Sequence, residues 1–220
     1  MTYIFQFGDV FKYTDTLLMG ALTTLVLTVA TTIIGVAIGI LGAAGRTSGS
    51  RLWGRCALGY VEFIRNTPFI IQLFFVYFGL PSFGLKLSAE TAAVIALSLS
   101  LGAYATEIIR AGIEGVPKGQ REAGAALGLT GRQIFFLIVL KPAIAKVYPA
   151  LTSQIVLVML GSAAVSQIAA EDLTFAAQYI QAQNFRSFEV YLVTTFAYLV
   201  LAVLLRHACR LVGRRVFRMA

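Results

Sequence analysis

Five polar side chains sit close together in an otherwise apolar run: Glu62, Arg65, Asn66, Thr67 and Gln72. Charged groups inside a hydrophobic stretch are costly and face a protein interior or a water-filled cavity. At 100° per residue, Glu62, Arg65, Phe69, Gln72 and Val76 fall on one face of a continuous helix. Two chemistries suit this cluster. A carboxylate and a guanidinium at i,i+3 can neutralise each other and lock helices together. Alternatively, with Asn66 and Thr67, they can line a pathway and meet the ammonium and carboxylate of a small zwitterion. Pro68 would free a backbone carbonyl in the preceding turn and add an acceptor there. In other apolar runs, Tyr104 and Ser162 are further pathway candidates. Glu107 and Arg110 repeat the i,i+3 spacing and read as a solvated pair at the end of a run.

A second polar feature is residues 118–128, where Lys118, Arg121 and Glu122 precede alanines and glycines between long hydrophobic runs. Such a segment does not belong in lipid, and its small residues let another backbone or a shallow groove approach closely. It reads as a helix that plugs into a soluble partner. Val116-Pro117 closes the helix before it, since proline cannot continue a helix and restricts its predecessor. Helix is expected from about residue 119 to 127. Thr130-Gly131-Arg132-Gln133 then matches a capping box, which starts the next helix at about Gly131.

The elements that hold these residues are membrane spans. The chain is 58% hydrophobic and 13% charged, half the charged fraction of roughly 25% found in soluble domains. Its 220 residues have room for five or six spans of roughly 20 residues. The expected spans are 16–45, 57–79, 88–109, 146–169 and 189–205, within a single transmembrane domain covering 1–220, with a polar loop at about 110–132. Gly35 and Gly39 in the first span would permit close helix packing. The connection from Asp172 to Phe185 is amphipathic and is expected to form a short helix at the outer interface.

Lysines and arginines set the orientation. Arg46, Arg51 and Arg55 lie in one loop; Arg110, Lys118, Arg121 and Arg132 lie in another; Arg206, Arg210, Arg214, Arg215 and Arg218 lie in the tail. Opposite them stand Lys12, Lys86 and Arg186, outnumbered by Asp9, Asp15, Glu90, Glu171, Asp172 and Glu189. This pattern puts the N-terminus outside, the C-terminus inside, and residues 118–128 in the cytoplasm. The net charge of +8 is therefore a topology signal and argues against nucleic acid as a partner. A secretory signal is not expected, and Cys56 and Cys209, both near the cytoplasmic face, do not imply a disulfide.

Several ordered blocks carry a family resemblance. Glu122-Ala123-Gly124, Gly128, then Ile138 and Leu140 with Pro142, resemble the EAA loop of bacterial ABC importer permeases. Departures fall at Gly124, at Lys141 with the proline moved to Pro142, and at Gly161, where many relatives carry an ionisable residue. The run from Phe63 to Pro68 with Gln72, and the run from Tyr104 to Arg110, resemble polar amino acid permeases of the histidine, glutamine and arginine type. This resemblance implies an all-α type I importer fold of about five spans, with a cytoplasmic coupling helix between spans 3 and 4. It implies that Arg121, Glu122, Ala123 and Gly128 couple the chain to a cytoplasmic ABC ATPase subunit. It further implies a second permease subunit, identical or not, an external solute-binding protein, and a place in the bacterial cytoplasmic membrane.

No Gly-x-x-x-x-Gly-Lys-Ser/Thr pattern is present, so the chain supplies no phosphate-binding loop of its own. It is expected to bind no cofactor or metal, and to leave ATP and magnesium to the partner ATPase. Neither His-Glu-x-x-His nor Gly-x-Ser-x-Gly occurs, which argues against an intramembrane enzyme. The alternative reading is an ATP-independent channel or secondary transporter that uses Glu62 and Arg65.

Overall fold

Long apolar segments bounded by proline, glycine and capping residues become helices, because in lipid each backbone polar group must be satisfied within its own segment. The computed structural model describes residues 4–217 (for Phe217, the backbone alone), so Arg218 lies outside the described residues. Among these, all regular structure is helical: α1 (Gly8–Phe11), α2 (Thr14–Thr47), α3 (Arg51–Arg65), α4 (Phe69–Phe74), α5 (Ala89–Glu114), α6 (Lys118–Ala126), α7 (Gly131–Gln133), α8 (Leu140–Gly161), α9 (Leu173–Asn184) and α10 (Ser187–Phe217). Wider π turns follow α4 and α7, at Phe75–Gly79 and Ile134–Val139, and 3-10 turns occupy Leu80–Phe83 and Ser162–Ile168.

Four helical runs are long and apolar enough to cross a membrane: Thr14–Thr47, Ala89–Glu114, Gly131–Ile168 and Ser187–Val216. A fifth span is possible only as a broken one, α3 followed by Phe69–Phe83. The expectation of one continuous helix over 57–79 is thus corrected. Helix α3 ends at Arg65, Asn66 caps it, and Pro68 stands in extended backbone (φ −62°, ψ 134°) at the start of α4. The face that joined Glu62 and Arg65 to Gln72 and Val76 does not exist. Nor does Pro68 release a carbonyl inside a helix.

The chain forms two units. One comprises residues 1–32, 68–97 and 156–205. Its core joins Met159, Leu173 and Leu201 to Leu17, Leu25 and Tyr198, and a second cluster joins Val10, Ala177, Ile180 and Val190. In α9, Leu173, Ala176, Ala177 and Ile180 are buried at helical spacing. The apolar face expected to lie on the outer interface therefore packs against protein, while Tyr179 remains exposed. Asp172, itself wholly buried, caps α9 by accepting from Phe175 N–H at 2.8 Å. Its other carboxylate oxygen accepts from the Tyr198 hydroxyl at 3.0 Å.

The other unit comprises residues 33–67, 98–155 and 206–220. Its core is the α5 stripe Ala105, Ile109, Ile113 and Val116, packed with Ala43, Val139, Ala143 and Leu151. Small residues bring α2 and α5 together. A Cβ on Gly39 would lie 2.5 Å from Ala105 Cβ and 3.1 Å from its carbonyl carbon. The close-packing role read from Gly35 and Gly39 is what this contact requires. Tyr60 ties α3 to α5 by donating to Leu99 O at 2.6 Å.

Candidate functional site

The polar helix α6 is built as a detached, tethered rod. Proline at position 117 stands before its first residue, Lys118. Its end is a Schellman motif: Gly128 N–H donates to Ala125 O at 3.0 Å and Leu129 N–H to Gly124 O at 3.2 Å. That closure needs a left-handed residue, and Gly128 has φ 75°. Gly128 thus stops the helix, and nothing about its geometry requires it to touch a partner. The capping box at Thr130 is complete, with Gln133 N–H on Thr130 Oγ1 and Gln133 Oε1 accepting from Thr130 N–H.

Two tethers fix α6 to the spans on either side. Arg121, half-buried, donates from its guanidinium to Ile113 O in the last turn of α5, a carbonyl that also accepts from Val116 N–H at 3.2 Å. Gly124 is buried against the π turn, where a Cβ would meet Ile138 Cδ1 at 2.6 Å. The opposite face carries Glu122, Ala123, Ala125 and Ala126, all exposed. Sequence reasoning missed Leu127, which is 79% exposed at the C-terminal end of this helix. Its position just before the helix-stopping glycine was the available signal. Of the expected coupling residues, Glu122 and Ala123 stand on the open surface, Arg121 serves as a tether, and Gly128 as a terminator.

The expected pathway residues separate. Glu62 and Arg65 form no ion pair with each other, a correction to the i,i+3 pairing. Instead the Glu62 carboxylate accepts from Asn66 Nδ2 at 2.9 Å, which also donates to Glu62 O at 2.8 Å. The guanidinium of Arg65 lies over the Tyr104 ring, 5.4 Å from its centroid, a cation–π arrangement that leaves its N–H fork unmatched by carboxylate. Thr67 Oγ1 donates to Phe63 O at 2.8 Å, a local bond that helps end α3. Gln72 and Ser162 belong to the other unit. There Ser162 is buried and donates to Met159 O at 2.7 Å, at the junction of α8 and its 3-10 turn.

Glu107 does more than pair with Arg110. It accepts from Arg110 at 2.8 Å, lies 3.5 Å from Arg46 on α2, and Arg110 reaches on to Glu114 at 2.7 Å. Of the four charges, Arg46, Glu107 and Arg110 are only 19–26% exposed, so this is a half-buried network and not a solvated pair. Arg46 is far away in sequence, and no local signal could have joined it to Glu107.

Apolar spans bearing polar side chains, interrupted by an exposed helix tethered to two of them, define a membrane permease subunit. Comparison with known proteins takes this further. The chain belongs to the family of binding-protein-dependent transport system inner membrane components, which matches residues 35–218. The glutamine transport system permease protein GlnP of Escherichia coli K12 is 33% identical over 214 residues, covering 96% of this chain and 98% of its own. The L-cystine transport system permease protein TcyB of Bacillus subtilis 168 is 35% identical over 200 residues, covering 90% and 86%. Among solved structures, a chain of an amino acid ABC transporter crystallised with histidines superposes with a TM-score of 0.87 at 36% identity, over 97% of this chain and 100% of that one. The MetNI methionine ABC transporter, at 22% identity and a TM-score of 0.76, shares the fold. The fold is that of type I ABC importer permeases, as the sequence led us to expect.

Proposed function

We propose that this permease subunit moves polar amino acids across the bacterial cytoplasmic membrane, driven by ATP hydrolysis on a separate ABC ATPase bound to α6. The observation that carries the reading is the double tether of α6. A rod joined to α5 through Arg121–Ile113 and to the α7–α8 run through Gly124–Ile138 passes a displacement to two spans at once. Its free face, with Glu122 and Leu127, is the surface for the ATPase. Import then requires that nucleotide stabilise one of two arrangements of the spans more than the other. An external solute-binding protein delivers the substrate, and a second permease subunit, identical or related, completes the pathway. The relatives named for glutamine, cystine and amino acid transport support this class of cargo.

Within the unit that holds them, Arg65 and the Glu62–Asn66 pair are the groups suited to a zwitterion. Arg65, stacked on Tyr104 and unpaired with any carboxylate among the described residues, offers its fork to a substrate carboxylate. Glu62 offers an acceptor to the ammonium. The chain itself needs no cofactor or metal, because ATP and magnesium stay on the ATPase. The clustering of basic residues supports an N-terminus outside and a C-terminus inside. The channel or secondary-transporter reading finds no support among the relatives.

Co-purification from membranes tests the proposal. An ATPase subunit should accompany the parent chain in fixed ratio and be lost when Glu122→Ala and Leu127→Ala are combined, with uptake lost alongside it. Uptake that persists in that variant, or without ATP, would refute the proposal.

A further inference from the structure

We propose that a cavity between α8 and α10 holds the phosphate headgroup of an anionic glycerophospholipid. The cavity measures about 480 Å³ and is lined by Tyr148, Thr152 and Ser153 from α8 and by Arg206, Arg210 and Arg214 from α10. The arginines recur every four residues, so they stand within about 80° of one helix face and span about 12 Å along it. None of them is paired with a carboxylate among the described residues. Three guanidinium groups lining one cavity supply N–H donors that match the oxygens of a phosphate diester.

The cavity is held open by specific packing. Tyr148 donates to Cys209 O at 2.6 Å, tying α8 to α10. Gly213 lies against the Tyr148 ring so closely that any Cβ there would collide with it. The aromatic ring therefore sits where a side chain of α10 would otherwise stand, beside the arginines.

Depth and surroundings favour a lipid over a soluble anion. The α10 sequence from Val190 to Leu205 contains no charge, so Arg206 is the first charged group as the helix leaves the apolar layer. On the same last turns, Leu211, Val212 and Val216 are about half exposed and apolar. Cationic and bare apolar side chains mixed on one helical segment mark a headgroup interface, where acyl chains cover the apolar surface and phosphate meets the arginines. The inference rests only on α10 crossing the membrane, and lipid retention needs neither ATPase nor transport, so its failure leaves the import proposal standing.

The full chain is reconstituted in nanodiscs of phosphatidylglycerol and phosphatidylcholine in equal amounts, then moved to mild detergent. Retained lipids are counted by native mass spectrometry. Phosphatidylglycerol should be retained over phosphatidylcholine. Arg210→Gln alone should lower that preference about fivefold, and Arg206→Gln, Arg210→Gln and Arg214→Gln together about a hundredfold, at about 1 kcal/mol per basic residue near a membrane surface. Lysine at all three positions should keep most of it. The single variant decides the matter should the triple one fail to enter the membrane. Equal retention of both lipids by the parent chain, or a preference unchanged by Arg210→Gln, overturns the inference. So does displacement of the lipid by excess inorganic phosphate, which would make the cavity a site for soluble anions.

Discussion

Replacing Asp172 by asparagine isolates the cost of a buried charge. Asp172 is fully buried at the start of α9, outside the spans, and burial pushes its pKa from 3.8 up to about 6. That desolvation outweighs the bonds from Phe175 N–H and the Tyr198 hydroxyl, which act the other way. The folded chain therefore holds this proton more tightly than the unfolded chain, the reverse of the usual aspartate. Its linked stability is fully present below about pH 4, falls as pH rises through about 6, and is level above that. The difference between the two affinities corresponds to roughly 3 kcal/mol. Asparagine keeps an oxygen for Phe175 N–H, is a good N-cap, and carries no charge to desolvate. Thermal unfolding of parent and Asp172→Asn in detergent, followed by circular dichroism, reads the effect. At about pH 7.5 the variant should be more stable by up to roughly 3 kcal/mol, and at about pH 4 the two should coincide. A gap of constant size across that range would refute the argument.

Four further outcomes follow from local geometry. Gly39→Ala should destabilise by about 1–3 kcal/mol despite its better helix propensity, because Ala105 Cβ and backbone cannot rotate away. Gly59→Ala, with nothing within 4 Å of the new methyl, should instead stabilise by about 0.5–1 kcal/mol in the same melts. Gly128→Ala meets no steric obstacle but must hold φ 75°, so it should cost about 1–2 kcal/mol, fray α6 and weaken ATPase co-purification, with Gly128→Asn intermediate. Tyr104→Leu removes the ring beneath Arg65 and should lower amino acid uptake about fivefold to thirtyfold, whereas Tyr104→Phe should retain it.

Local chemistry was legible in the sequence, and distant pairing was not. Pro117, the capping box from Thr130 to Gln133 and the glycine at 128 each act on their own neighbours, so the ends of α6 could be read directly. The break at Asn66-Thr67-Pro68 carried a signal too, because a residue before proline resists helix. It was hidden by apolar residues on both sides, which suit one span or two halves equally well. Asp172 and Glu189 read as outer charges, yet both are fully buried, one under Tyr198 and the other accepting from Gln6 N–H at 3.1 Å. A carboxylate's burial depends on groups folded against it from afar. For the same reason spacing left two readings of Glu62 and Arg65 open, a mutual ion pair or separate pathway groups; in the structure Glu62 accepts from Asn66 and Arg65 lies over Tyr104.

Gly124 is where this chain departs from the Glu-Ala-Ala pattern, and the structure gives the departure a mechanical meaning. The space that an alanine methyl would occupy is filled by Ile138 Cδ1, with Ile134 Cγ1 beside it at 3.2 Å. Gly124→Ala asks only that the tip of Ile138 turn aside, at about 0.5–1.5 kcal/mol, and regains about 1 kcal/mol of helix propensity, so it should be close to neutral. Gly124→Leu cannot be accommodated by a tip rotation and should lift α6 off the π turn. The outer face with Glu122 and Leu127 is untouched by that change, so the ATPase should still co-purify. If force reaches the α7–α8 run through this contact, the complex carrying Gly124→Leu should still hydrolyse ATP on its ATPase subunit while its amino acid uptake falls at least tenfold. Uptake that stays proportional to hydrolysis in Gly124→Leu would show that the Arg121 tether alone carries the motion, and that the Gly124–Ile138 contact only packs.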